Sequence, residues 1–327
     1  LGLNTPAEWG GAGADMVSYA IAIEELSRVC ASHGVIASVN NSLYLWPVMH
    51  FGTDAQKEKY LPRMAAGEMI AAIAMSEPGA GSDLQAVKTT AVKKSDHYLV
   101  NGSKTFITNG WNCDLAIVVA KTDPSKGAKG TSLLIVDTSM KGFTKGKRLK
   151  KVGLKGQDTA ELFFDNVAVP AENLLGEENN GFIYLMQELP WERLQIAIAA
   201  VAKAEAAVSA GYRKVKLKIT PGRDIEFVRA VRAAVGNDVD LMVDANCAYT
   251  LDDADTLAGL DAFGLVMIEQ PLEPEDLVRH ATLQKRLATP LCLDESITSP
   301  ARAEDMIALG AGRIVNIKPG RVGGFTA

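Results

Sequence analysis

The chain has 327 residues, 47% of them hydrophobic and 22% charged, with a formal net charge of −5. That composition belongs to a folded globular protein, and the length suits two domains of ordinary size. It excludes a disordered chain, and lysines and arginines scattered without a basic stripe exclude a nucleic-acid footprint. The longest apolar runs, Met69–Met75 and Leu115–Ala120, are far shorter than a bilayer span, and no charged-then-apolar leader opens the sequence. Cys30, Cys113, Cys247 and Cys292 stand far apart without a C-x-x-C pair, and there are only four histidines. Neither a disulfide scaffold nor a Cys/His zinc site is expected, and the features together predict a soluble, cytoplasmic protein of a reducing compartment.

Residues 1 to about 65 read as helical. Val17, Ala20, Ile21, Ile23, Leu26 and Val29 share one broad apolar face, with Glu24, Glu25 and Arg28 opposite. Thr53-x-x-Gln56 is a capping-box pattern, and Pro62 marks a disturbance near the end of the helix it opens. From about 70 to 175 strands follow one another. His97–Val100 and Lys104–Thr108 flank Asn101-Gly102, a hairpin signal, and Leu115–Ala120, Ser132–Asp137 and Ala160–Phe164 come after. No helix separates them, so an antiparallel sheet is predicted. Residues 181–208 are helical again. Past Gly211 strand-like runs at Val215–Ile219, Leu241–Asp244, Leu265–Glu269, Leu291–Asp294 and Arg313–Lys318 recur about every 25 residues. The helix-like segments Asp224–Val235, Leu251–Leu260, Glu275–Leu287 and Ser299–Leu309 follow the first four, the pattern of parallel strands with right-handed crossovers.

That repeat carries chemistry at a fixed phase. Lys218, Asp244, Glu269, Asp294 and Lys318 are 26, 25, 25 and 24 residues apart, which predicts one rim at the C-terminal ends of the strands. Three converging carboxylates suit Mg²⁺, and their mutual repulsion makes a cation the natural resolution. Lys218 and Lys318, on opposite sides of the cluster, could exchange protons with a carbon acid. The stretches KVKLKI, LMVDAN, MIEQP, LCLDES and RIVNIKPGRVGG resemble the catalytic strands of the enolase superfamily, nearest to its o-succinylbenzoate synthase/N-acylamino acid racemase branch. The resemblance implies Asp244, Glu269 and Asp294 as Mg²⁺ ligands and Lys218 and Lys318 as the acid/base pair, a pairing known for such sites. It implies Lys216 and Asn246 as supporting groups and an N-acylamino acid or succinylbenzoate-type carboxylate as substrate. It covers about 208–327, some five of eight barrel units, without the family's capping domain or last strands.

In the first half, the informative loops are 73–82 (IAMSEPGAGS) and 104–110 (KTFITNG). The former offers hydroxyls and backbone N–H groups to a polar ligand, the latter an aromatic face beside a hydroxyl. GAGSD lacks the third glycine of a dinucleotide fingerprint. With PAEWGGAG, FGTDAQKEKYLPRMAAGE, VGLKGQDTAELFFDNVAVPAENLLG and ELPWERL, these loops resemble an acyl-CoA dehydrogenase over about residues 1–205. That implies FAD against Ile73, Ala74, Met75, Ser76, Ser82, Phe106, Ile107 and Thr108, with Ser82 also touching the acyl-CoA. Phe106 stands where many members have Trp. The family's base is a glutamate beyond the point where the resemblance stops, and Glu77, in S-E-P-G, reads as a turn residue rather than a substitute.

The sequence therefore predicts a helical segment 1–68, a β domain 69–175, the start of a helical domain and a join at 176–208, and a partial (β/α) barrel 209–327. The switch falls inside AIAAVAKAEAAVSAGYRKVKLKI, with no Pro/Gly/Ser linker. Three functional readings follow: an FAD flavoprotein of acyl-CoA dehydrogenase type, an Mg²⁺-dependent enolase-type enzyme, or a chimeric or truncated product without turnover. The partners expected are small molecules, with no nucleic acid and no membrane span, and both parent families are oligomeric.

Overall fold

The computed structural model describes residues 1–81 and 83–324. They fall into two compact units, Leu1–Ala206 and Ala207–Ala327.

The first unit opens with helices α1 (Met16–Val29), α2 (Ala31–Val39), a π-helical stretch Asn40–Leu45, α3 (Trp46–Phe51) and α4 (Asp54–Ala66). Asp15 caps α1, its carboxylate accepting the Ser18 N–H at 2.7 Å. Of the apolar face expected for α1, only Ile23 is buried and Ala20 half-buried. Val17, Ile21, Leu26 and Val29 are exposed, and Tyr19, Ile23 and Ser27 turn inward. The cause is close packing against α2, where a Cβ added at Gly34 would lie 2.1 Å from Ser27 Oγ. Only a line with a small residue at its end can cross there. The Thr53/Gln56 capping box forms as predicted. Pro62 does not disturb the end of α4, which runs on to Gly67 (φ +78°) because Tyr60, Leu61, Met64 and Ala65 anchor it in the core.

Strands β1 (Ala71–Ala74), β2 (Thr90–Lys93), β3 (His97–Thr108), β4 (Leu115–Lys121), β5 (Thr131–Asp137), β6 (Phe143–Arg148), β7 (Thr159–Pro170) and β8 (Leu174–Leu175) form one sheet. Its order is β6-β7-β3-β2-β4-β5-β8, with β1 beside β4. It is mixed rather than antiparallel, since β1 and β2 both pair parallel to β4. The long excursion between β1 and β4 supplies the crossover that a parallel pair needs. Nor is Asn101-Gly102 a hairpin turn. The chain runs straight through it as β3, with a register shift between Val100 and Gly102. Gly102 has φ +153°, and a Cβ there would meet Thr89 Oγ1 at 2.4 Å, so glycine serves a bulge and a close approach. Both sheet faces are buried. Ile73, Ile117 and Leu133 join Tyr44, Leu61 and Met64 of the helical layer, while Ala74, Val118 and Leu134 join Tyr98, Leu162 and Phe164. That explains the unbroken apolar run of β4.

Helix α5 (Gly181–Ser209) passes through the predicted join without a break and contains Pro190. The second unit contains β9 (Lys214–Lys218), α6 (Ile225–Val235), β10 (Asp240–Asp244), α7 (Ala254–Gly259), β11 (Ile268–Glu269), α8 (Leu277–Gln284), β12 (Leu291–Leu293), α9 (Pro300–Leu309), β13 (Ile314–Val315) and α10 (Pro319–Val322). All five strands are parallel, in the order β13-β12-β11-β10-β9. The repeated strand–helix grammar thus folds as read, around a core of Val228, Leu241, Val243, Leu257, Ile268 and Leu291. All four cysteines are free. Among the described residues no helix is long and apolar enough to cross a membrane.

Candidate functional sites

In the first unit the two informative loops come together through a residue that the sequence did not single out. Lys104, 1% exposed, donates from Nζ to Glu77 Oε1 (2.9 Å), Met75 O (3.0 Å) and Val119 O (2.7 Å). Three acceptors satisfy all three ammonium protons. Burial lowers its pKa to about 8, with the Glu77 charge opposing the fall. Glu77 accepts further from the backbone N–H groups of Lys88 (2.7 Å) and Thr89 (3.0 Å). Burial works to raise the Glu77 pKa, but the hydrogen bond at Thr89 and the Lys104 ammonium outweigh it and hold the carboxyl below its ordinary value. Glu77 is a turn residue, as expected, and one that ties its loop to β3. Thr105 N–H adds a bond to Ser76 O at 2.9 Å.

Of the predicted flavin contacts, Ile73, Ala74 and Ile107 are core side chains, 7%, 0% and 2% exposed, and have only backbone to offer a ligand. Met75, Ser76 and Thr108 are half-buried. Ser82 lies outside the described residues. Phe106 is 69% exposed at φ +58°, beside a second register shift of β3 between Lys104 and Ile107. A bulge that turns an aromatic ring out of a strand stores strain, and strain of this kind gathers at functional positions. Asp158 pins the following turn, accepting from Trp111 N (2.8 Å) and Asn112 Nδ2 (2.9 Å). Behind it, buried Tyr44 donates to Thr108 O at 3.3 Å. Neither Tyr44 nor Asp158 was legible as part of this region. An exposed ring, with half-buried Thr108 two residues on and Ser76 tied by its carbonyl to the neighbouring Thr105, is a residue set that fits a flat, partly polar ring system such as a flavin.

In the second unit Lys218, Asp244 and Glu269 are level across β9, β10 and β11. Asp294 is not in that row, because Glu269 pairs with Cys292 and Asp294 lies two residues further on. The residues of Asp244, Glu269 and Asp294 are 2%, 1% and 0% exposed. Lys216 Nζ bridges Glu269 Oε2 (2.9 Å) and Asp244 Oδ2 (3.2 Å), and Lys218 Nζ reaches Asp244 Oδ2 at 2.6 Å and also Asn246 Oδ1. Lys318 and Arg321 take the two oxygens of Asp294. Burial opposes ionisation of Asp244 and Asp294, yet Lys218 at the one and Lys318 and Arg321 at the other hold both below the usual carboxylate range. The expected repulsion between acids is therefore answered by side-chain cations. Among the described residues no three His, Cys, Asp or Glu side chains are grouped so as to hold a metal ion. As arranged, the set Asp244, Glu269 and Asp294 does not fit Mg²⁺.

Sequence reasoning missed Arg321, Asn316 (Nδ2 to Glu269 Oε1, 3.0 Å) and Gln270. Gln270 Oε1 accepts the Asp294 N–H at 2.9 Å and its Nε2 donates to Ser296 Oγ at 2.8 Å, which fixes the backbone under Asp294. Asn246, Cys247 and Gln270 all have positive φ, so the rim is strained where β10 and β11 end. Arg321 and Asn316 lie inside the quoted RIVNIKPGRVGG, the one signal that could have found them.

Family models match in three stretches: the acyl-CoA dehydrogenase N-terminal domain at residues 1–68, its middle domain at 72–167, and an enolase C-terminal domain-like model at 199–327. An acyl-CoA dehydrogenase of Bacillus subtilis is 46% identical over 225 residues, 69% of this chain. The crystal structure of the acyl-CoA dehydrogenase from Geobacillus kaustophilus superposes with a TM-score of 0.64 at 36% identity, covering 94% of this chain and 76% of that one. Through its first unit the chain belongs to the acyl-CoA dehydrogenase family. The chain spans 59% of the Bacillus subtilis relative's length. A Bacillus anthracis acyl-CoA dehydrogenase crystallised with FAD matches at 30% identity and a TM-score of 0.59, covering 88% of this chain and 43% of that one. The enolase-like match begins at residue 199, inside α5, so one continuous helix carries the change of family.

Proposed function

We propose that the dehydrogenase unit is a flavin-binding module that holds FAD against Phe106, with Thr108 and Ser76 as polar partners and an acyl-CoA near Ser82. The single observation that carries this reading is the Phe106 ring, turned out of β3 by its bulge and 69% exposed. The FAD complex of the Bacillus anthracis relative supports it. When bound, the flavin would supply the hydride acceptor for α,β-dehydrogenation of an acyl-CoA. This chain's own part is to bind and orient. Phe106 excludes water from one ring face, and the Lys104–Glu77 pair keeps the 76–81 loop against β3. Among the described residues we assign none to removal of the α-proton. Glu77 is saturated by Lys104 and two N–H groups, and the family's base belongs to a helical region where this chain matches the enolase-like model instead. We therefore infer a chimera with little or no dehydrogenase turnover. Mixing the full chain with FAD and then, without oxygen, with excess acyl-CoA should give bound flavin that stays yellow. Free FAD eluting apart from the protein would end the binding reading, and rapid bleaching would end the inactivity.

A second reading, for the second unit, is part of a (β/α) barrel of enolase type that moves a proton beside a carboxylate. The observation favouring it is that the Lys218 and Lys318 side chains, 65% and 51% exposed, stand over buried acids at the strand ends. The o-succinylbenzoate synthase/N-acylamino acid racemase branch is the substrate class this reading takes. Solvent deuterium entering the α-carbon of an N-acylamino acid, and lost in Lys218→Ala, would support it. No exchange from the folded chain would end it.

A further inference from the structure

Every carboxylate oxygen of Asp244, Glu269 and Asp294 already has a donor. Glu269 Oε1 accepts from Lys216 (3.2 Å) and Asn316 (3.0 Å), and its Oε2 accepts from Lys216. Asp244 Oδ2 takes Lys218 and Lys216, and its Oδ1 takes the Asn246 N–H at 3.1 Å. Asp294 Oδ2 takes Lys318 and its Oδ1 takes Arg321. A fourth acid, Glu295, accepts from Asn246 Nδ2 at its Oε1 (3.1 Å), while its buried Oε2 has no hydrogen-bond partner among the described residues. Asp244, Glu269 and Asp294 thus pair with Lys216, Lys218, Lys318 and Arg321, and with Glu295 counted the formal charges cancel. Arg321 cannot give up its proton in a protein. A divalent ion needs several of these same oxygens at short range and must strip their present donors to get them. The offset of Asp294, two residues beyond the row of Asp244 and Glu269, works against a common point as well.

We propose that this rim is closed by its own cations: Lys216 stands between Asp244 and Glu269 where a divalent ion would have to bind, and the unit holds its acids together without metal. Metal enters only by displacing the Lys216 ammonium. The role of Lys216 is then to keep the carboxylates in place, and it does so whichever reaction the unit performs. The claim runs opposite to the Mg²⁺ site that the strand spacing suggests.

The test uses the full chain and Mn²⁺ as probe, with uptake read from loss of the free-ion electron paramagnetic resonance signal. At roughly millimolar Mn²⁺ the unaltered chain should leave that signal undiminished, and EDTA should not shift its melting temperature. Lys216→Met should bind Mn²⁺ at least about tenfold more tightly, a difference of about 1.4 kcal/mol. One Mn²⁺ bound by the unaltered chain below about millimolar concentration, or a melt lowered by EDTA, overturns the proposal. A folded Lys216→Met that ignores Mn²⁺ overturns it too. If that variant does not fold, the two measurements on the unaltered chain decide alone.

Discussion

Lys104 shows how much one side chain can carry. It is a buried ammonium whose three protons reach Glu77, Met75 and Val119, and so it joins β3 and β4 to the segment that follows β1. Removing one member of a buried ion pair strands the other, at a cost of about 3–5 kcal/mol. Lys104→Met should lower the urea midpoint of the first unit accordingly, and a loss below about 1 kcal/mol would mean that the pair acts like an exposed one. The sequence could not reveal this, because an isolated lysine is almost always at the surface and nothing in KTFITNG marks its first letter as buried. The charged ladder is the converse case. Its spacing correctly put Lys218, Asp244 and Glu269 at neighbouring strand ends. Spacing gives phase, however, not partners, so it could not tell that Lys216 and Arg321 reach the acids.

At the scale of elements, α5 packs a polar stripe inward, with Glu188, Glu192 and Gln195 buried. Gln195 Oε1 accepts from Tyr19 OH (2.6 Å) and Ser38 Oγ (2.7 Å), and Glu192 accepts from Ser42 Oγ. Neither oxygen of Glu188 has a hydrogen-bond partner among the described residues. Burial, with the Glu192 charge adding to it, pushes the Glu188 carboxyl well above its ordinary value. Its folded pKa is above its unfolded one, so its contribution to stability is full below the unfolded pKa of about 4.3 and is lost as pH rises through the folded pKa. Glu188→Gln should flatten the decline in stability above that pH, read by chemical denaturation across a pH series. A slope equal to that of the unaltered chain would contradict it. The α5 helix itself was legible from composition, but its buried acids were not, since a carboxylate on a helix is normally read as solvated. The same limit misassigned α1 in part, where a simple apolar count included Ile23 but passed over Tyr19 and Ser27 for exposed Val17, Ile21, Leu26 and Val29.

At the scale of the whole molecule, two compact units share one chain and one helix. Buried acids in the two units respond to pH with opposite signs, Glu188 in the first against Asp244 and Asp294 in the second. Asp244 and Asp294 have lowered pKa values, so the stability they give is present above their unfolded pKa values and is lost as pH falls through the folded ones. Acid should therefore weaken the second unit, whereas in the first Glu188 costs stability as pH rises and Glu77, held low, costs it as pH falls. Scanning calorimetry of the full chain should show the second unit's transition moving down as pH falls, and a transition insensitive to acid would contradict that. The second unit's sheet ends at β9 and β13 without further partners among the described residues. Open edges of this kind template pairing between chains, so concentration-dependent aggregation is expected. The succession of helices, strands and β-α repeats was readable because periodicity reports local structure. The mixed sheet was not, because β1 pairs with a strand some forty residues away.

The most direct test of the central claim, that the first unit keeps a flavin site at Phe106, is a titration of FAD fluorescence with the full chain and with Phe106→Ala. A ring stacking on an aromatic gains about 0.5–1.5 kcal/mol, so the variant should bind FAD about three- to tenfold more weakly while melting like its parent. Equal affinity in both proteins, or no binding to either, would contradict the account.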